Sequence, residues 1–213
     1  MKYLTLDVET TISNSGNSFD ETNKLVMVGL LGKGLYPIEY GDEPYGENLA
    51  AIQAAIDESD VLVGFNIKFD LHWLSRYGIK FADKKIWDYG FEQKLDIVKE
   101  NYWKNGIDTT EVPRDILEDY LQKDLELTEQ VMFKQREELQ DNPLLSRLVS
   151  LHNQDLLGLQ EMEFNGLLFN QQWSETLGHE LEEQINKLDE RLRQYHNLDS
   201  FNPNSNDHIS CLL

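Results

Sequence analysis

The sequence predicts an α/β protein: a mixed sheet flanked by helices, followed by a C-terminal helical extension. Three observations predict it. Residues 3–40 hold three apolar or alternating runs, as in an antiparallel meander. Residues 47–135 then alternate between helical and strand periodicity. From about residue 144 the apolar residues recur only at helical spacing.

The first strand is the run Tyr3 to Thr10, where Leu4, Leu6 and Val8 alternate with Thr5, Asp7 and Glu9. A polar loop rich in Ser, Asn and Gly follows over residues 11–23. Residues 25–31 are continuously apolar and predict a buried strand. Gly32 and Gly34 mark a turn, and residues 35–40 a third strand. Leu49, Ile52, Ala55 and Ile56 predict a helix over 47–58, and residues 61–65 another buried strand. A helix is expected over 68–77, closed by Gly78. Residues 85–89 predict a fifth strand. Thr109 to Pro113 predict the start of a helix running through Gln135.

The sheet and its helices are assigned to residues 1–140 and the helical segment to 141–213. In that segment Leu144, Leu148, Leu151, Leu156, Leu159 and Met162 form one seam, ending near Gly166. Leu177, Leu181, Ile185, Leu188, Leu192 and Tyr195 form a second. The two predict a helical hairpin whose apolar seams either pack in a core, dock on the preceding domain or stay exposed as a partner surface. A polar tail follows.

The chain has 213 residues, 40% of them hydrophobic and 27% charged, ordinary values for a soluble globular protein. No apolar run approaches the ~20 residues that span a bilayer, and no signal-peptide core follows Met1-Lys2. The expectation is a cytoplasmic protein with no membrane partner. One cysteine, Cys211, excludes an internal disulfide and a cysteine-based metal cluster. The five histidines show no zinc spacing, and neither a Gly-rich phosphate loop nor a Gly-x-Ser-x-Gly elbow is present.

Asp7 and Glu9 lie one strand repeat apart on a single face. Held there, two like charges repel unless a cation sits between them, and a hard divalent ion bound through oxygen suits the pair. A solvated strand face with two exposed acids is the other reading. Asn66 and Asp70 are four apart where a helix begins, after a strand end of the kind that borders ligand crevices. Taken alone, Asp70 also reads as a first-turn charge favoured by the helix dipole. Tyr120 and Asp124 share a helix face, and a solvated face is again the plain alternative.

Together the three motifs are specific. Asp-x-Glu on a first strand, Asn-x-x-x-Asp after a later strand and Tyr-x-x-x-Asp on a helix resemble, in order and context, the DEDD exonuclease superfamily. The tyrosine resembles the DEDDy branch; the histidine branch would place His where this chain has Asp119. The run Asp7 to Thr11, Phe19-Asp20, Asn23 to Val26 and Val28-Gly29-Leu30 is similar to the proofreading domain of bacteriophage family A DNA polymerases. Leu159 to Gly166 resembles the helix leading into their polymerase domain, and Phe201 to Ser205 also has a counterpart there.

The resemblance implies a ribonuclease-H-like sheet and removal of nucleoside monophosphates from DNA 3′ ends with two Mg²⁺ ions, Mn²⁺ substituting. It implies that Asp7 bridges both metals. Glu9 and Asp124 complete the site of the water-activating metal, Asp70 holds the second metal through water, and Tyr120 orients the attacking water. Thr10 is expected at the strand end, and Asn66 either at the terminal nucleotide or supporting Asp70. Phe69, His72 and Trp73 either stack on unpaired bases or pack in the core, with His72 and Trp73 taken as base contacts and Phe69 assigned to the core. The partner is a single-stranded or frayed DNA 3′ end, in the cytoplasm of an infected bacterium if the origin is a phage. Motifs for nucleotide synthesis have no counterpart here, so a polymerase domain or subunit outside this chain is expected.

The net charge of −20 speaks against a broad nucleic-acid surface. An enzyme that grips only a strand end through metals needs few basic contacts. The rival readings are an exoribonuclease of the same superfamily and a non-catalytic acidic module that mimics DNA.

Overall fold

A computed structural model describes residues 1–42, 44–89, 96–196, 202 and 205–210. Phe201, Pro203 and Asn204 of the tail motif, Cys211 and the side chain of Tyr195 lie outside the described residues. The chain divides into two compact units, Met1–Gly166 and Leu167–Leu213.

The first unit is built on a five-stranded mixed sheet in the order β3-β2-β1-β4-β5. Strands β1 (Tyr3–Thr10), β2 (Leu25–Leu30) and β3 (Gly34–Pro37) form the antiparallel meander. Strands β4 (Val61–Phe65) and β5 (Lys85–Tyr89) run parallel to β1. Helices α1 (Gly46–Asp57) and α2 (Ile67–Arg76) connect β3 to β4 and β4 to β5. Then come α3 (Asp96–Asn101), two short 3-10 turns (Trp103–Asn105 and Thr109–Glu111), α4 (Arg114–Gln140) and α5 (Pro143–Asn165).

The alternation in β1 sorts the core onto two faces. Leu4, Leu6, Val8 and Leu62 pack with Ile52 and Ile56 of α1 and Leu71 and Leu74 of α2. The other face is covered as well, because α4 packs on β1, β2 and β4. Leu117, Leu121 and Leu125 bury their side chains there with Val26 and Met27, and Met132 packs on Val61 and Val63. The acidic face of β1 is therefore an interior face, and the reading of two acids on a solvated strand face is corrected.

Gly29 sets how closely α4 approaches. It pairs with Asp7 in the antiparallel register. A Cβ on Gly29 would stand 2.7 Å from Leu125 Cδ1 and 2.9 Å from Leu121 Cγ. Only a residue without a side chain lets the helix lie so close to the sheet, beside Asp7.

Several boundaries differ from the sequence expectation. The third strand is shorter than expected and ends at Pro37, although the Ile38 and Glu39 N–H groups still donate to the Val26 and Leu25 carbonyls of β2 at 2.9 Å. Residues Thr109–Glu111 form a separate 3-10 turn capped by Asp108, which accepts from Thr110 N. Val112 and Pro113 are extended, and α4 begins only at Arg114. Helix α5, grouped by sequence with the C-terminal segment, belongs to the first unit and packs on β5, α2 and α4. Leu156 of its seam is buried, whereas Leu144, Leu148, Leu151, Leu159 and Met162 are exposed.

The second unit holds α6 (Gln171–His196) and the short α7 (Asn206–Ser210). Leu181, Ile185, Leu188 and Leu192 of the α6 seam are exposed rather than packed. Among the described residues no helix is long and apolar enough to cross a membrane.

Candidate active site

Where β1 ends, the chain leaves a cleft of about 720 Å³. Asp7, Glu9 and Thr10 from β1, Asn66 and Asp70 from the start of α2, and Tyr120 and Asp124 from α4 all line it. Three segments far apart in sequence meet here because β1 is central in the sheet, with β4 and α2 on one side and α4 across its acidic face.

Each position has a local cause. The β1–β2 register shifts between Glu9 and Thr10, so an irregularity falls just past the two acids before Thr10 pairs with Leu25. Asn66 takes a left-handed conformation, φ 48°, to turn from β4 into α2. Its side chain makes no capping bond, and the residue is exposed in the cleft. Asp88 of β5 stands in for it by accepting the N–H of Ile67 at 3.0 Å. Asp70 is buried in the first turn of α2, and its Oδ1 accepts the N–H of Val8 at 2.9 Å. Tyr120 meets the ring of Trp103 edge-on, centroids 5.7 Å apart.

The loop over residues 11–23 forms a further wall and is pinned at several points. The Thr11 hydroxyl donates to Asn23 Oδ1, and Asn23 Nδ2 donates to the Ser13 and Asn17 carbonyls. Ile12 N–H donates to Asp108 Oδ2, which ties the loop to the segment leading into α4. The indole N–H of Trp73 donates to the Gly16 carbonyl at 3.0 Å. Gly16, φ 67°, has no room for a Cβ, which would lie 2.4 Å from Thr10 Oγ1.

Two expected substrate contacts are corrected by burial. Trp73 has no exposed surface, so it has no face to offer a base; it holds the loop instead. His72 is buried, with Nε2 2.9 Å from Glu163 Oε2 and Phe19 against its ring. Glu163 also accepts from Lys68 at 2.7 Å, so this cluster docks α5 on α2. Phe69, assigned to the core, packs against the core and also lines the cleft. Thr10 lines the cleft, its hydroxyl donating to the Thr11 carbonyl.

The electrostatics are dominated by carboxylates that burial keeps from ionising freely. The carboxyl of Asp7 is pushed up to about 8, first by desolvation and then by Asp124. Glu9 is raised well above its usual range by desolvation, then by Asp7 and Asp124. Desolvation and Asp7 raise Asp70, against the N–H bonds it accepts. Asp124 is raised by desolvation. Among the described residues no Lys, Arg or His forms an ion pair with any of the four.

This donor set has the chemistry of a hard divalent cation site: carboxylate oxygens only, mutually repelling, and paired with no Lys, Arg or His among the described residues. Among the described residues no three such side chains are already gathered into a metal-holding group. The fit is one of donor type and shared cleft, which a divalent charge would draw together.

Sequence reasoning missed Lys99, Trp103 and Lys104, which also line the cleft. They come from α3 and the 3-10 turn after it, elements too short to show a period. The chain matches no family model, and no curated protein matches it.

Proposed function

We propose that this chain is a metal-dependent 3′–5′ exonuclease of the DEDDy type, on a ribonuclease-H-like sheet, removing nucleoside monophosphates from single-stranded or frayed DNA 3′ ends. One observation carries the reading: Asp7, Glu9, Asp70, Tyr120 and Asp124, the residues of three motifs spread over more than a hundred positions, line one cleft.

Asp7, Glu9 and Asp124 would hold one Mg²⁺ or Mn²⁺, and Asp7 with Asp70 a second, the latter through water. When bound, such ions lower the pKa of water and stabilise the leaving 3′ oxygen. The chain's own residues do the rest. Tyr120 directs its phenol hydroxyl to the attacking water and orients it toward the phosphorus. Thr10 and Asn66 border the place of the terminal nucleotide, and the wall pinned by Trp73 keeps the cleft narrow. Selectivity for mismatched ends needs no base-reading contact, since a mismatched end costs less to unpair and reaches the cleft more often. A polymerase domain or subunit is the proposed partner, from the resemblance of residues 159–166 to the polymerase lead-in helix.

The test is digestion of a 5′-labelled, 3′-recessed primer, matched or mismatched at its end, with Mg²⁺, Mn²⁺ or EDTA. A metal-dependent ladder shortening from the 3′ end, faster on the mismatch, is the expected result. A folded protein that leaves DNA intact but shortens RNA would be an exoribonuclease. One that cleaves neither would be a binding module, the role its charge of −20 otherwise suits.

A further inference from the structure

The carboxylates account for only part of the cleft. Another wall comes from α3 and the 3-10 turn after it, through Lys99, Trp103 and Lys104. Val98, fully buried with Val112, Leu117 and Leu121, anchors this segment in the core that α4 builds. Tyr102 N–H donates to the Val98 carbonyl at 2.9 Å, and Gly106, φ 73°, turns the chain away.

The two lysines differ in their surroundings. Lys104 is matched by Glu100 four residues before it. Lys99 is half-buried and has no ion-pair or hydrogen-bond partner among the described residues. A partly desolvated ammonium is unfavourable unless an anion answers it, and none of the four site carboxylates pairs with it. Trp103 is fixed from two directions: its Nε1 donates to Thr109 Oγ1 at 3.1 Å, and its ring meets that of Tyr120 at 85°. A cation without an anion and an immobilised aromatic ring thus stand four residues apart in the cleft.

We propose that Lys99 and Trp103 form a wall that holds a single nucleic-acid strand: Lys99 takes a backbone phosphate, and Trp103 stacks on an unpaired base. The ligand class rests on the nuclease reading above. A cation beside an aromatic platform grips a strand without regard to sequence, as a site that must accept any terminal base requires. Lys99 also offsets the repulsion a phosphate meets on approaching four carboxylates, and that contribution weakens with salt.

The test uses the full chain in an Asp124→Asn background with Mg²⁺, so that the strand is not consumed, and reads anisotropy of a short 5′-fluorescein oligothymidylate. Lys99→Gln is expected to weaken binding several-fold and to flatten the slope of log K against log salt by about 0.7, one phosphate contact on a single strand. Trp103→Leu is expected to weaken binding at least about fivefold, the effect of one lost stacked base, and Trp103→Phe to retain most of it. In the otherwise wild-type chain, Lys99→Gln raises the KM of digestion by more than it lowers kcat. Lys33→Gln, at the opposite end of the sheet and paired with Glu58, is the charge control.

A Lys99→Gln protein with wild-type affinity and salt slope overturns the wall, as does a Lys33→Gln protein that loses as much. Absence of strand binding by the parent protein overturns it too. Strand binding that depends on Lys99, in a chain that hydrolyses nothing, keeps the wall and refutes the nuclease reading. Hydrolysis with no dependence on Lys99 does the reverse.

Discussion

The N–H of Val8 donates to Oδ1 of Asp70 at 2.9 Å. Val8 stands between Asp7 and Glu9, so this single bond fastens the first turn of α2 to β1 at the point where the strand presents its acids. Asp70 thereby has a structural task, accepting a buried N–H, beside the metal-holding one proposed for it as the fourth carboxylate of the cleft. Substitution separates them. Asp70→Asn keeps an acceptor for Val8 and removes the charge; it is expected to melt no lower than wild type and to lose hydrolysis by at least about 10²-fold, the scale of one electrostatic contact to the reacting centre. Asp70→Ala leaves the Val8 N–H unpaired, at about 1–3 kcal/mol. Thermal melts beside digestion rates check both; an active Asp70→Asn enzyme removes this residue from the site.

The raised carboxyls set the pH dependence of stability. Asp7 titrates near 8 folded against 3.8 in its ordinary range, and Glu9 and Asp70 are shifted the same way. Between those values the folded state holds protons the unfolded state has lost, so stability falls as pH rises through the window, and the Asp7 share of that fall ends above about 8. In EDTA the melting temperature is expected to be higher at pH 6 than at pH 8.5. Asp7→Asn should reduce that difference, and Mg²⁺ should stabilise the wild type more at pH 8.5 than at pH 6. Melting curves at the two pH values decide it; an unchanged slope in Asp7→Asn would contradict the shift.

Gly29 is expected to be sensitive out of proportion to its chemistry. A Cβ there collides with Leu121 and Leu125, the residues that directly follow Tyr120 and Asp124 along α4. Gly29→Val should cost about 1–3 kcal/mol through overpacking, and displace Asp124 and Tyr120 from Asp7. The variant is expected to lose kcat more than strand affinity. Kinetics at a temperature where the variant is folded test this; wild-type kcat would show that α4 accommodates the side chain.

Tyr120→Phe removes only the hydroxyl and keeps the ring against Trp103. Single-turnover hydrolysis should fall by about 10²-fold, the lower range for a group that orients or moves a proton at the reacting centre. A variant with the wild-type single-turnover rate would leave the phenol with no part in orienting water.

Much of the architecture was legible because the informative patterns are local. Strand 61–65 follows from its apolar run, and the alternation in β1 assigned Asp7 and Glu9 to the face opposite Leu4, Leu6 and Val8. That face being interior was not legible, since it depends on α4 arriving more than a hundred residues later over Gly29. The roles of His72 and Trp73 were hidden for the same reason: their own helix says nothing of Glu163 and Gly16, which receive them. Asp88 capping α2, and Lys99 and Trp103 in the cleft, join residues that no single period connects. The separate turn before α4 follows from Asp108 capping Thr110 and from Pro113, a combination that propensity blurs into one continuous helix start.

The most direct test of the central claim compares wild type with Asp7→Asn on a 5′-labelled DNA strand in Mg²⁺, with melting temperatures in parallel. Asp7 lines the cleft between the two proposed metal positions, so the variant should fold with equal or greater stability and hydrolyse at least about 10³-fold more slowly, the several kcal/mol that metal coordination supplies. A folded Asp7→Asn protein that shortens the strand from its 3′ end at the wild-type rate would contradict the account.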